Sequence, residues 1–316
     1  MKAIIFKKYG NIDVLKYETI DEPFLLGNQV LIRIYYASVN PVDWKVRNGT
    51  ARFLTGFWKP KPAFQVLGGD IAGEIEAVGS EVTNFQKGDK VCAILGGISG
   101  GGYSEKVAID ISKIALMPKS LDFRAAAALP LAGLTAYQGF KRANIQANQN
   151  VLVNGASGGV GIFALQIAKA FGAKVTAVCS QRNAQFVLDL GANSVIDYER
   201  EDFTKVTKSF DIIYDAIGNS SLKNCKPILS KSGIYITTIP GLTSLIQSKL
   251  LPYFSTHRVI PILTKSSGED LAELVALVDK HQIQVPIDAE FPLKNTAAAH
   301  DYSETGRVKG KLVLRI

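Results

Sequence analysis

The sequence predicts a two-domain α/β protein, a β-rich domain joined to a doubly wound parallel sheet. Three observations predict it. The chain has 316 residues, beyond the length that one hydrophobic core usually serves. Its first third alternates β-branched and aromatic runs with glycine clusters. From about residue 122 strands and helices alternate, and a glycine-rich turn joins the first such strand to its helix.

Each element follows from its residues. VLIRIYYASVN (30–40), IAGEIEAVG (71–79), KVCAIL (90–95) and YSEKVAI (103–109) read as short strands, with GGISGGG (96–102) as a turn. Short strands with glycine-rich turns suggest a barrel or sandwich. LDFRAAAALPLAGLTAYQGFKRA is alanine-rich and helix-forming. VLVNG (151–155) is a buried-type strand, and GIFALQIAKAFG (161–172) is a helix ending at glycine. KVTAVCS (174–180), SVIDY (194–198), FDIIYDAIG (210–218) and GIYITTI (233–239) read as further strands, with NAQFVLDLG (183–191) as a second helix. RVIPILT (258–264) reads as a late edge strand, EDLAELVALVDK (269–280) as an amphipathic helix and KLVLRI (311–316) as a strand. The last segment is expected to return to the first domain.

Composition narrows the class. Hydrophobic residues make up 47% and charged residues 20%, which argues against disorder. Cys92, Cys179 and Cys225 form no CxxC pair, so a reducing compartment is expected. The N-terminus lacks the pattern of a signal peptide, and no apolar stretch approaches the roughly 18 residues of a membrane span. A soluble cytoplasmic protein with no transmembrane segment is the expectation. The net charge of +8 comes from scattered lysines and arginines. A basic enzyme handling an anionic cofactor fits it better than a nucleic-acid partner, which is not expected.

The strongest motif is NGASGGVG (154–161), with Gly155, Gly158 and Gly161 three apart and Gly159 between them. It follows a strand and opens a helix, the context a dinucleotide-binding turn requires. Glycines let backbone amides approach a pyrophosphate, and the helix N-terminus offers free N–H groups. Ser157 adds a hydroxyl. NAD-binding proteins usually place a carboxylate about 20 residues after this turn. Here the segment reads Cys179-Ser180-Gln181-Arg182-Asn183, with no carboxylate to repel a 2′-phosphate. Ser180 and Arg182 suit NADPH instead.

Metal chemistry finds no support in the spacing. His257, His281 and His300 are the only histidines, and none lies near a cysteine or in an HExxH pattern. No metal site is expected. Tyr137 and Lys141 share the Y-x-x-x-K spacing of short-chain reductases. There the glycine loop precedes the tyrosine, whereas here it follows, so the pair reads as part of a structural helix.

SVNPVDWKVRNG (38–49), GGDIAGEIEAVGSEV (68–82), GGYSEKVAI (101–109), AAALPLAGLTAYQGF (126–140), NGASGGVG, VIDY (195–198) and GRVKGKLVLRI (306–316) together resemble the medium-chain dehydrogenase/reductase superfamily. The resemblance covers nearly the whole chain. It is similar to the zinc-free quinone oxidoreductase and alkenal reductase branch. Zinc-dependent members carry a cysteine where Asn40 stands and a His-Glu pair at Gly69 and Asp70. The resemblance implies a GroES-like β-barrel catalytic domain from residues 1–124, completed by 266–316, with a Rossmann-type cofactor domain at 125–265. NADPH would lie in the cleft between them. Ser157, Gly158, Gly159 and Val160 would meet the pyrophosphate. Ser180 and Tyr198, with Arg182 nearby, would meet the 2′-phosphate or ribose. Asn219 would lie near the adenine half, Asn40 and Thr135 on the nicotinamide side, and Arg307 and Lys309 in a basic cofactor-contacting segment.

The expected reaction is hydride transfer from NADPH to a quinone or an α,β-unsaturated carbonyl compound. Without zinc, hydrogen-bond donors must stabilise the developing oxyanion. Asn40, Lys45 and Tyr103 are the candidate catalytic donors by type and location, with Asp43 and Asp70 as orienting or structural carboxylates. The aromatics of RFLTGFWKPKPAF (52–64), Trp58 among them, suggest a lid over a flat substrate. Two other readings stay open. One is an enoyl-thioester reductase of the same superfamily, and the other a non-catalytic NADPH-binding protein with an RNA or membrane-surface role. Edge pairing of RVIPILT predicts a homodimer.

Overall fold

Pro41 and Pro130 each open a helix, and glycines close most of the turns between strands, so the chain is punctuated where the sequence places its breakers. The computed structural model describes residues 1–96, 100–239 and 241–316; the centre of the expected GGISGGG turn, residues 97–99, lies outside the described residues. The chain divides into two compact units, residues 1–131 with 265–316 and residues 132–264.

In the first unit, β1 (Lys2–Ile5) pairs antiparallel with β2 (Lys16–Thr19). The spine is β3 (Gln29–Val39), the longest strand. It pairs antiparallel with β4 (Asp70–Val78) along most of its length. Between them come α1 (Pro41–Arg47) and the short α2 (Arg52–Thr55). Then follow β5 (Lys90–Ile94), β6 (Lys106–Asp110) and β7 (Ile114–Leu116). Tyr103 to Glu105, expected in the same strand as 106–109, instead run ahead of β6, where Ser104 makes an isolated bridge to Ala3. Asp122 accepts from the Ala125 amide at 2.8 Å and caps α3 (Phe123–Ala127).

The second unit opens on α4 (Pro130–Ala143). Strands and helices then alternate, except that only a 3-10 turn (Phe203–Lys205) separates β10 from β11: β8 (Asn150–Asn154), α5 (Gly159–Ala170), β9 (Lys174–Cys179), α6 (Ala184–Asp189), β10 (Ser194–Asp197), β11 (Phe210–Asp215), α7 (Leu222–Cys225), β12 (Leu229–Thr237), α8 (Leu242–Leu250) and β13 (Arg258–Pro261). The strands form one parallel sheet in the order β10-β9-β8-β11-β12-β13. That is the doubly wound order 3-2-1-4-5-6 of dinucleotide-binding sheets. The winding of the chain reverses at the β8/β11 pair, while the strands stay parallel. Leu152, Val178, Phe210 and Ile213 anchor a core on one face of this sheet. β13 lies at its edge, as RVIPILT predicts.

The chain then returns to the first unit. α9 (Gly268–His281) is capped by Ser267, whose hydroxyl accepts from the Asp270 amide. β14 (Ile287–Pro292), α10 (Thr296–Glu304) and β15 (Lys311–Arg315) follow. β15 adds antiparallel to β3, giving the order β14-β15-β3-β4-β5-β7, with β6 also on β3. Ile32, Ile71, Ile75, Val91 and Leu314 are fully buried in the resulting core. Among the described residues no helix is long and apolar enough to cross a membrane.

Candidate functional site

In a doubly wound sheet, ligands bind outside the carboxyl ends of the strands where the winding reverses. Here that point lies between the ends of β8 and β11. Gly155 leaves β8 with φ +77°, a conformation that favours glycine. Gly161 is needed for close packing, since a Cβ there would lie 2.0 Å from the Gly155 carbonyl oxygen. Gly158 differs. A Cβ there would meet only that same oxygen, at 3.5 Å, so the protein itself does not demand glycine. The absent side chain leaves the space in front of α5 open. Gly158 is also the N-cap of α5, and no side chain caps it. The first amides, at Gly159, Val160 and Gly161, therefore have no intrahelical acceptor. Free N–H groups, the positive end of a helix dipole and an open cradle together suit a phosphate.

A second network fixes the neighbouring turn. Asn154, at the end of β8, donates to Asp215 Oδ1 at 2.9 Å and to Asn219 Oδ1 at 2.8 Å. Asp215 is buried and also accepts from the amides of Ile217, Gly218 and Ser220 and from the Tyr235 hydroxyl at 2.7 Å. Burial and the Asp215 charge hold the Tyr235 phenol far above its usual range, so it stays a donor. Asn154 and Asp215 were not among the expected site residues. The only signal was their place at the ends of two strands. Beside them opens a cavity of about 630 Å³ lined by Asn154, Tyr198, Phe203, Ile217 and Asn219, with a charged rim from Glu199 to Asp202. Tyr198 and Asn219 are thus brought together.

Of the other residues expected to meet the cofactor, Ser180 is buried at the end of β9. Arg182 is exposed and makes no ion pair among the described residues. Asn183 donates to Ser157 Oγ at 3.1 Å and ties this loop to the glycine turn. Thr135 lies on α4, its hydroxyl 2.7 Å from that of Thr264. Arg307 and Lys309 are exposed between α10 and β15, in the first unit.

The first unit holds a buried polar cluster. Lys311 is buried, and its ammonium donates to Asn40 Oδ1 at 2.6 Å. Asn40 Nδ2 donates to Asp70 Oδ2 at 2.9 Å and to Ser38 Oγ at 3.1 Å. Ser38 Oγ donates to Asp70 Oδ2 at 2.7 Å, and the Leu131 amide to Asp70 Oδ1 at 2.8 Å. Burial raises Asp70 and lowers Lys311, while their mutual attraction opposes both shifts. Asp43 accepts from the Asn40 and Gly68 amides and from the Tyr103 hydroxyl at 3.0 Å. Burial nevertheless pushes its carboxyl up to about 7.

From Tyr103 the cluster continues to His300 Nε2 at 3.3 Å, from His300 Nδ1 to Arg47 at 3.3 Å, and from Arg47 to Glu304 at 2.6 Å. Arg47 can only donate, so His300 Nδ1 accepts and Nε2 carries the proton. Burial and the Arg47 charge press His300 down to about 3, which keeps the ring neutral. His300 is therefore a packing residue.

These contacts change the expectation for two of the three candidate catalytic donors. Tyr103 was expected to face the substrate oxygen, but it is fully buried and its hydroxyl is bound to Asp43. Asn40 has both its amide hydrogens and its carbonyl oxygen engaged within the cluster. Lys45 is half-buried, with its ammonium 5.4 Å from the Trp44 ring centroid. It has no hydrogen bond to another described residue. Trp58 is 88% exposed, stacked edge-on against Phe57. Tyr137 and Lys141 sit on α4 with the ammonium over the ring, as a structural pair. Among the described residues no group of three or more His, Cys, Asp or Glu side chains could hold a metal ion.

A nucleotide-binding sheet inserted in an antiparallel β unit defines the class, and comparison with known proteins defines the family. Residues 27–119 match the alcohol dehydrogenase GroES-like domain, and residues 190–314 match the zinc-binding dehydrogenase domain. The chain is 34% identical to a chloroplast envelope quinone oxidoreductase homolog of Arabidopsis thaliana, over 99% of this chain and 98% of that one. It is also 34% identical to an NADPH-dependent alkenal/one oxidoreductase of the same plant, over 99% of this chain and 79% of that one. The solved quinone oxidoreductase from Coxiella burnetii superposes with a TM-score of 0.89 at 34% identity, covering 100% of this chain and 99% of that one. The chain belongs to the medium-chain dehydrogenase/reductase superfamily, in its quinone oxidoreductase branch.

Proposed function

We propose that the protein is an oxidoreductase that reduces quinones or α,β-unsaturated carbonyl compounds with NADPH and without zinc. The observation that carries this reading is the open cradle at Gly158, faced by the uncapped amides of α5. Ser157 to Val160 hold the pyrophosphate. Arg182 and Ser180 take the 2′-phosphate, and Tyr198 and Asn219 flank the adenosine in the cavity they line. Thr135, Arg307 and Lys309 are assigned to the rest of the cofactor. NADPH, when bound, supplies the hydride.

In the first unit, Lys45 Nζ is the assigned donor to the substrate oxygen, since its hydrogens are not taken up by the fold. Asn40 and Tyr103 act as positioning residues that fix α1, which carries Lys45. The zinc-free reading rests on the donor set. Asn40 and Asp70 face the Lys311 ammonium, which already supplies the positive charge at that place. A homodimer paired through the β13 edge, and a reducing compartment for three buried free thiols, complete the reading.

The test is NADPH oxidation by the purified protein against a panel of quinones and short enals, with NADH as control. NADPH-selective turnover is expected, and the preferred acceptor separates quinone from alkenal chemistry. Tight NADPH binding with no turnover on any acceptor overturns the enzymatic reading.

A further inference from the structure

α8 has its amphipathic pattern reversed. A surface helix ordinarily buries its apolar stripe and exposes its polar one. On α8 the half-buried positions are Ser244, Gln247 and Ser248, while Leu242, Leu245, Ile246 and Leu250 are exposed. The serine hydroxyls are satisfied locally, on the carbonyls of Gly241 and Leu245, so the inward side asks little of its neighbours. The spacing 242, 245, 246, 250 places the apolar residues on one face. The turn after the helix extends that face with Tyr253, 79% exposed, and Phe254, 86% exposed. A contiguous apolar surface of this kind on one element marks an interaction site.

Charge says what covers it. Between Asp215 and Glu269 the chain contains no aspartate or glutamate. The same stretch carries Lys223, Lys226, Lys231, Lys249 and Arg258, all exposed. Lys249 falls on the apolar face by its spacing. The Thr256 hydroxyl donates to the Lys231 carbonyl, which holds the Tyr253–Phe254 turn close to Lys231. A twofold contact between two such faces would set lysine against lysine with no local carboxylate to pair them. A nucleic acid would answer the lysines and leave the leucines and isoleucine unburied. An apolar face with aromatic edges, one lysine on it, another near its turn and no carboxylate in its stretch of chain fits the interfacial zone of a bilayer that carries anionic lipids.

We propose that the outward face of α8, with Tyr253 and Phe254, docks the protein on an anionic lipid bilayer. The proposal does not rest on the NADPH or quinone reading. In a dimer paired antiparallel through β13, the twofold runs perpendicular to the sheet. Both copies of α8 then share one face, and two docking helices meet the same surface.

Vesicle flotation of the full chain tests it. Binding is expected to vesicles of phosphatidylcholine with phosphatidylserine. It should fall by about tenfold or more on phosphatidylcholine alone, and fall likewise as salt shortens the Debye length. Leu245→Ser with Phe254→Ser should weaken binding by about tenfold or more while the urea-unfolding midpoint stays close to the parent, which certifies the fold. Lys231→Glu with Lys249→Glu should do the same with the apolar face intact. Vesicles that float without the protein overturn the proposal. So does binding that neither pair of substitutions changes. Loss of a dimer in the serine variant, with no vesicle binding by the parent, assigns the face to self-association and overturns it as well. RNA retention by a parent that ignores vesicles does so too.

Discussion

Unit 1 spends its buried polar groups on itself, where Asn40, Asp70, Lys311, Asp43, Tyr103 and His300 form one connected cluster. Unit 2 holds the Asp215 network just as tightly but, among the described residues, leaves the first three α5 amides without an intrahelical acceptor and Arg182 without an ion pair. Polar groups closed within the fold report on architecture, and those left open at a strand switch point report on ligand. The difference separates two kinds of candidate that look alike in a sequence. Asn40 and Gly158 both sit in family motifs, yet one is held by four hydrogen-bond partners and the other borders empty space.

Lys311→Met breaks the comparison most severely. It leaves Asp70 buried with hydrogen-bond donors but no opposing charge. Removing one member of a buried ion pair costs about 3–5 kcal/mol. Urea unfolding should show a loss of that size, and adding Asp70→Asn should recover most of it. A loss below about 1 kcal/mol would mean that the ammonium is not the countercharge of the cluster.

Gly158→Ala and Arg182→Ala should behave in the opposite sense, since the proposed cofactor site assigns both to ligand and neither to the fold. Unfolding midpoints should stay close to the parent. For Arg182→Ala, the loss of a charge-assisted hydrogen bond to a 2′-phosphate is worth about 1.5–3 kcal/mol, or roughly ten- to a hundredfold in NADPH affinity, with NADH little changed. Gly158→Ala should weaken both cofactors alike, because its methyl group intrudes where the shared pyrophosphate lies. Equal losses for the two cofactors in Arg182→Ala would remove it from the 2′-phosphate site. By contrast Gly161→Ala should destabilise the fold, with its Cβ 2.0 Å from a backbone oxygen.

Legibility followed the same division. The parallel sheet was readable because its strands are short apolar runs that alternate with helical stretches, several of them bounded by glycine. The glycine turn was readable because its function lies in backbone conformation, which glycine records directly. The cluster of unit 1 was not, because it joins residues as far apart as Asn40 and Lys311 or Arg47 and Glu304, and no periodicity records such a meeting. Tyr103 was placed by motif and assigned by residue type, which cannot say where a hydroxyl points. α8 was not read from the sequence although its leucines and isoleucine fall at helical spacing, and that this face points outward is recorded only in the fold.

The smallest effect, taken per pH unit, concerns two buried groups of unit 1 that titrate in opposite directions. Asp43, with an ordinary value near 3.8, is raised to about 7 by burial. Between those values the folded chain keeps a proton that the unfolded chain has lost, so this group makes stability fall as pH rises. His300, ordinarily near 6.5, is lowered to about 3 by burial and by Arg47. Between those values the unfolded chain binds a proton that the folded chain refuses, so this group makes stability rise with pH. The windows overlap from about pH 4 to 6.5, where the two slopes cancel. His300→Gln removes the rising slope and retains a side chain able to meet Tyr103. Relative to the parent, its stability should fall by about 1.4 kcal/mol for each pH unit climbed across that window. Urea unfolding at closely spaced pH values reads the slope directly. Parallel profiles for parent and variant would show that His300 is protonated equally in the folded and unfolded chains, and the directional chain from Arg47 to Asp43 would have to be abandoned.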